Sequence, residues 1–229
     1  MKTLGLIGGM SWESTIPYYR FINETIKTRL GGLHSARLVL YSVDFDEIAQ
    51  MQHAGDWDAA GRVLADAARR LEAAGANALV ICANTMHKVA PAIEAAVSIP
   101  LLHVVDAVAD DIRAVGFHKV GLLGTRFTME HPFYADRLAQ HGLQTLIPEQ
   151  ADRDLVHRVV YEELCLGKTV DASREAYRRI MADLVARGAE AIILGCTEIS
   201  MLVGAKDASV TLFDTTAIHA RKAAEWALG

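Results

Sequence analysis

Three segments place small, polar and thiol-bearing residues directly after apolar runs. They are Gly8-Gly9-Met10-Ser11-Trp12, Cys82-Ala83-Asn84-Thr85-Met86-His87 and Gly195-Cys196-Thr197-Glu198. Glycines after a strand let backbone N–H groups approach an anion, often beside a helix N-terminus. The first segment forms neither a GxGxxG run nor a Gly-Lys-Ser/Thr signature, so a carboxylate suits it better than a nucleotide. A thiol at a strand end can be tuned toward thiolate and serve as an acid or base. Packing is the other reading of any single cysteine. Asn84 and Thr85, and Thr197 and Glu198, are polar neighbours that favour a site. A carboxylate such as Glu198 raises the pKa of an adjacent thiol, which counts against it as an activator of Cys196.

The remaining candidates are weaker. The three cysteines, Cys82, Cys165 and Cys196, show no CxxC spacing, so neither a disulfide framework nor a zinc site is expected. The nine histidines form no HExxH or i,i+4 pair, and no metal is expected. Cys165 lies in a helical pattern and reads as packing. Asp44 reads as a helix cap. His87 reads either as orienting the Asn84-Thr85 loop or as packing at a helix start. Lysine and arginine total 23 against 28 aspartates and glutamates, a formal net charge of −5. That balance argues against a nucleic-acid binder working through a basic face. No apolar run approaches the ~20 residues of a membrane helix, and residues 1–9 do not form a signal-peptide core. A cytoplasmic protein with reduced thiols is expected.

The elements that must position these residues follow an α/β rhythm. Expected strands are Thr3–Ile7, Arg37–Val43, Ala78–Cys82, Leu101–Val105, Val120–Leu123, Gln144–Ile147, Ala191–Leu194 and Thr211–Phe213. They are continuously apolar, as strands buried on both faces of a parallel sheet must be. Helical patterns lie between them: Thr15–Leu30, Asp56–Ala74, Met86–Ala96, Ala107–Val115, Met129–Gln140, Asp152–Leu166, Ala172–Ala186 and Ala217–Leu228. The rhythm predicts parallel sheets flanked by helices.

The chain also repeats itself. Thr3–Gly9 matches Lys119–Thr125, Ile16–Tyr19 matches His131–Tyr134, and Gly75–Ile81 matches Gly188–Leu194, in the same order and at nearly one offset. The pattern predicts duplication of an α/β half and two pseudo-symmetric lobes. Residues 1–105 with 210–229 are expected to form the first lobe and 106–209 the second, with a cleft between them. Ligands of open α/β sheets bind at the carboxyl ends of the strands. In the internal match Cys196 pairs with Ala83, and Cys82 pairs with Gly195. Successive strand residues face opposite ways, so Cys82 and Cys196 are not expected to serve the same face. Symmetry would place two thiols where this chain carries one thiol and one methyl.

At these residues the chain resembles the aspartate/glutamate racemase superfamily, most closely its YgeA-like amino-acid racemase branch. The resemblance runs the whole length. It includes Gly8–Thr15, Asn84-Thr85-Met86-His87-Lys88, Glu163-Leu164-Cys165-Leu166-Gly167-Lys168 and Gly195-Cys196-Thr197-Glu198. It implies a cofactor-independent isomerase, usually a homodimer, whose two cysteines exchange the α-proton of an amino acid. Cys196 would be one of them, and Ala83 stands where the first is missing. Cys82 or a water would have to substitute, or the site is one-sided. Substrate contacts implied by the resemblance fall on Met10, Ser11, Gln52, Asn84, Thr85, Thr125, Thr128, Lys168, Thr197 and Glu198. Lys168 and Gln52 would meet a side-chain carboxylate. The expected ligand is an amino acid or dicarboxylate, with no nucleic acid or membrane partner. The alternatives are a single-cysteine decarboxylase or isomerase of a dicarboxylate, and an amino-acid-binding protein without turnover.

Overall fold

The computed structural model describes residues 1–229. Its first unit begins with β1 (Leu4–Gly8), buried at every position because helices cover both faces. There follow α1 (Trp12–Leu30), β2 (Leu38–Ser42), α2 (Phe45–Ala54), α3 (Trp57–Ala73) and β3 (Ala78–Ile81). A 3-10 turn (Thr85–Val89), α4 (Ala90–Glu94) and β4 (Leu101–Leu102) complete the first half. The second half runs α5 (Val104–Ala114), β5 (Lys119–Gly124), α6 (Arg126–Glu130), α7 (Pro132–Gln140), β6 (Gln144–Leu146) and α8 (Gln150–Glu162). A 3-10 turn (Leu164–Leu166), α9 (Asp171–Ala186), β7 (Ala191–Gly195), α10 (Ile199–Leu202), β8 (Thr211–Asp214) and α11 (Thr215–Leu228) close the chain.

The duplication is visible in topology. One sheet has the order β2-β1-β3-β4 and the other β6-β5-β7-β8, and every pairing is parallel. The repeated glycine of the Leu-Gly-Leu frame has the same reason in both sheets. A Cβ on Gly5 would stand 2.9 Å from the Cβ of Ala76 and 3.2 Å from that of Leu71. A Cβ on Gly121 would stand 2.5 Å from Cδ1 of Ile192 and 3.0 Å from Cδ1 of Leu184. Glycine lets the crossover helix and the neighbouring strand close on the sheet at native packing density.

Each sheet carries one core on each face. In the first unit Leu4, Leu6, Val80 and Cys82 pack with Tyr18, Ile22 and Ile26 of α1 and with the alanines of α11. Ile7, Leu79, Ile81 and Ala83 pack on the other face with Leu64, Ala68 and Leu71 of α3. In the second unit Val120, Leu122 and Ile193 pack with α5 and α7. Leu123, Ile192, Leu194 and Cys196 pack with Val156 and Val160 of α8 and Ile180 and Leu184 of α9. The last helix of the chain, α11, thus joins the core of the first sheet.

Several boundaries differ from the sequence expectation for local reasons. The first unit comprises Met1–His103 and His219–Gly229, and the second Val104–Ile218. The expected crossing at residue 210 comes too early, because β8 continues the second sheet beside β7. The pattern Met129–Gln140 divides into two helices at Pro132, which lacks an N–H and starts α7. The pattern Asp152–Leu166 leaves the α-helix at Glu162 and ends in the 3-10 turn that carries Cys165. Helix α2 had no expected counterpart, since only Ile48 and Gln52 of its ten residues are buried. Its cap is the anticipated Asp44, whose Oδ1 accepts from the N–H of Asp46 at 3.1 Å.

Candidate functional site

In the first unit, the turn after β1 needs Gly9. Its φ is +90°, and a Cβ there would lie 2.2 Å from the Val43 carbonyl oxygen. The Gly9 N–H donates to Thr15 Oγ1 at 2.8 Å, and that hydroxyl donates to the Ser11 carbonyl at 3.0 Å. Ser11 caps α1, and the Met10–Ser11 peptide bond is cis. Ser14 Oγ reaches both the Ser11 carbonyl, at 2.7 Å, and the Cys82 carbonyl, at 3.2 Å, tying the β1 loop to the end of β3. Gln52 of α2 is buried and donates from Nε2 to Met86 Sδ at 3.0 Å, a weak acceptor. Met10, Ala83 and Met86 share one apolar cluster. The first unit therefore brings Met10, Ser11, Gln52, Ala83, Asn84 and Thr85 to the carboxyl end of its sheet, with Asn84 and Thr85 buried.

Behind that loop lie three buried histidines. His87 Nδ1 donates to the Ala83 carbonyl at 2.8 Å. Its ring centroid is 4.5 Å from that of His103 and 5.7 Å from that of His219. His219 Nε2 faces the Leu102 carbonyl at 2.8 Å. A carbonyl only accepts, so this nitrogen carries the proton and Nδ1 accepts from the Tyr18 hydroxyl at 2.9 Å. Burial, then the His103 and His219 rings, hold His87 well below the usual imidazole pKa. His87 is thus a neutral anchor for the Ala83 carbonyl, one of the two roles anticipated for it.

Cys82, an expected catalytic candidate, is corrected to a core residue. It is fully buried on the α1 and α11 face, opposite to Ala83, because successive residues of the chain alternate sides. Burial alone drives its thiol pKa upward.

In the second unit, β5 and β7 end side by side, with Gly124 in register with Gly195. Thr125 caps α6, and its Oγ1 lies 3.3 Å from both the N–H and the hydroxyl of Thr128. Cys196 directly follows β7 and is 9% exposed. Its Sγ donates to Glu198 Oε2 at 3.0 Å, and Thr197 Oγ1 donates to the same oxygen at 2.5 Å. Cys165 Sγ donates to Glu198 Oε1 at 3.6 Å. A buried carboxylate is costly unless hydrogen-bonded, and these three donors satisfy Glu198, itself 3% exposed. Burial first, and then the Glu198 charge, push the Cys196 thiol well above its usual pKa. At neutral pH Cys196 is therefore a protonated acid aimed at a carboxylate.

Cys165 is the site residue that sequence reasoning assigned to packing. It lies 33 residues from Glu198 in sequence, and only the tertiary fold makes them neighbours. Lys168 follows the same turn and is exposed, its N–H held by the Glu163 carbonyl at 3.0 Å. A groove of about 550 Å3 between α3 and α4, lined by Trp57, Arg62 and Lys88 among others, contains none of the candidate site residues.

The sequence profile of the family described as Asp/Glu/Hydantoin racemase matches residues 7–223. The broad specificity amino-acid racemase RacX of Bacillus subtilis is 22% identical over 223 residues, covering 95% of each chain. The crystal structure of a Yersinia pestis protein, provisionally named an Asp/Glu racemase, is 59% identical and superposes with a TM-score of 0.93 over 100% of both chains. That of an aspartate racemase homologue from Pyrococcus horikoshii OT3 is 35% identical, with a TM-score of 0.86 over 100% of both chains.

Proposed function

Because the chain belongs to the Asp/Glu/Hydantoin racemase family, we propose that it is a cofactor-independent racemase of aspartate, glutamate or a broader set of amino acids. Cys196 moves the α-proton. The observation that carries this reading is the Cys196 thiol at a strand end, held 3.0 Å from a buried carboxylate that accepts its S–H. The α-proton of an amino acid is a very weak acid, and its removal depends on electrostatic stabilisation of the carbanion. Asn84, Thr85 and the Gly8–Ser11 loop are assigned to the substrate α-carboxylate, and Lys168 and Gln52 to a side-chain carboxylate. Thr125, Thr128 and Thr197 are assigned to further substrate contacts.

Ala83 occupies the position in the first unit that Cys196 occupies in the second, and a methyl neither donates nor accepts a proton. With Cys82 in the core, a water must return the proton on the face opposite Cys196. The site is accordingly one-sided. Incubation with L- and D-aspartate and glutamate in D2O tests the reading, with chiral separation and mass spectrometry as readouts. Deuterium enters the α-position faster from one enantiomer than from the other. Absence of exchange across a panel of amino acids overturns the proposal.

Ala83 also favours a second reading: a lone-thiol decarboxylase or isomerase of a dicarboxylate, with Cys196 protonating a planar intermediate on one face. Carbon dioxide release from a substituted malonate, without α-exchange of any amino acid, identifies it. Tight amino-acid binding with neither reaction marks a binding protein. As part of the favoured reading the chain is assigned to the cytoplasm as a homodimer, and sedimentation of the purified protein tests the dimer. No helix is long and apolar enough to cross a membrane.

A further inference from the structure

We propose that Cys165 is a positioning residue for Cys196: it donates to Oε1 of Glu198, and so holds Oε2 against the Cys196 thiol. The inference rests on the reading of Cys196 as the acid/base group. Glu198 and Thr197 belong to the same strand-end loop as Cys196, whereas Cys165 reaches the carboxylate from a separate segment. That segment is itself braced. The Glu163 carbonyl accepts from the N–H groups of Leu166 and Lys168, both at 3.0 Å, and the Glu163 carboxylate accepts from Ser173 Oγ at 2.8 and 3.0 Å. Gly167, with φ of 70°, closes the turn. A carboxylate gripped at one oxygen by a braced donor has a defined direction for the other.

The groups that act on the Cys196 proton come from several elements. Glu198 and Cys165 each act on Cys196 directly, and both raise its pKa. The Tyr161 hydroxyl of α8 feels Cys165, Cys196 and Glu198. The Tyr177 hydroxyl of α9 feels Cys196 and Glu163. Burial holds both tyrosines and Cys165 protonated through neutral pH. Glu198 is therefore the charge against which a Cys196 thiolate must form. The Cys165 S–H dipole points its positive end at that charge. Removing it frees Oε1 and lets Oε2 turn from the Cys196 thiol, and because Glu198 and Cys165 each hold that thiol up, the Cys196 titration midpoint falls.

The test follows the Cβ chemical shift of isotopically labelled Cys196 from neutral to strongly alkaline pH, a measurement that needs no substrate. In Cys165→Ala the midpoint falls by roughly one pH unit, and the pH profile of α-proton exchange moves down by the same amount. Cys165→Ser, which keeps a donor on the same carbon, returns both toward wild type. If the alanine variant does not fold, Cys165→Val supplies a donor-free side chain of similar volume. An unchanged or raised midpoint in a folded donor-free variant overturns the proposal and leaves Cys165 as packing. A lowered midpoint in a protein that exchanges no amino acid upholds the positioning role while removing the racemase reading.

Discussion

The Sγ of Cys196 lies 3.0 Å from Oε2 of Glu198, and the thiol points its proton at the carboxylate. Two consequences oppose each other. The carboxylate accepts the S–H hydrogen bond and fixes the direction of the group that the proposed reaction uses. Its charge also makes a Cys196 thiolate less favourable. The balance defines a site whose resting state is an acid.

Glu198→Gln separates the two effects. The neutral amide removes the charge that holds the thiol up, so Cys196 titrates at a lower pH than in wild type. Carboxamidomethylation of Cys196 at fixed mildly alkaline pH becomes faster, as mass spectrometry of the peptide will report. Slower labelling contradicts the assignment of Glu198 as the main charge acting on Cys196.

Cys196→Ser replaces the thiol with a hydroxyl of far higher pKa. It lowers α-proton exchange by about a hundred- to ten-thousandfold, while the circular dichroism spectrum is retained. Cys82→Ala, in the core between α1 and the alanines of α11, costs about 1 kcal/mol of stability and leaves the exchange rate per folded molecule unchanged.

Ala83→Cys restores the thiol that the internal repeat lacks. Ala83 packs beside Met10 and Met86, pliant side chains that accommodate one added sulfur. Exchange of the slower enantiomer rises by about a hundredfold, making the reaction nearly symmetric. An unaltered enantiomer ratio counts against a one-sided wild-type site.

The neutral state of His87 makes stability pH-dependent. Its pKa is lowered in the folded protein, so the unfolded chain binds the proton more readily below about pH 6.5. The stabilisation is complete above that pH and is lost as the pH falls, by up to about 1.4 kcal/mol per unit. Chemical denaturation of wild type and His87→Gln at neutral and mildly acidic pH checks the sign. The variant loses stability at neutral pH because the Ala83 carbonyl loses its imidazole donor, and its acid sensitivity is weaker.

By itself the sequence determined most of the strands, the duplication and the loops that carry chemistry, although the expected strand Leu101–Val105 is only Leu101–Leu102, with Val104 already in α5. Runs such as Leu4–Gly8 and Ala191–Gly195 are apolar throughout, because both faces of a parallel strand are covered. The internal match already paired Ala83 with Cys196, and both lie on the crossover-helix face of their own sheets. Helix α2 was not legible, since a largely exposed helix has little apolar period. The fold alone decided that β8 extends the second sheet, that Cys82 lies in the core, and that Cys165 meets Glu198. Pairing and burial depend on segments far apart in the chain, and local periodicity carries no information about which distant segment arrives. The protonation of Cys196 belongs to that second class, for it is set by what the fold packs around the sulfur.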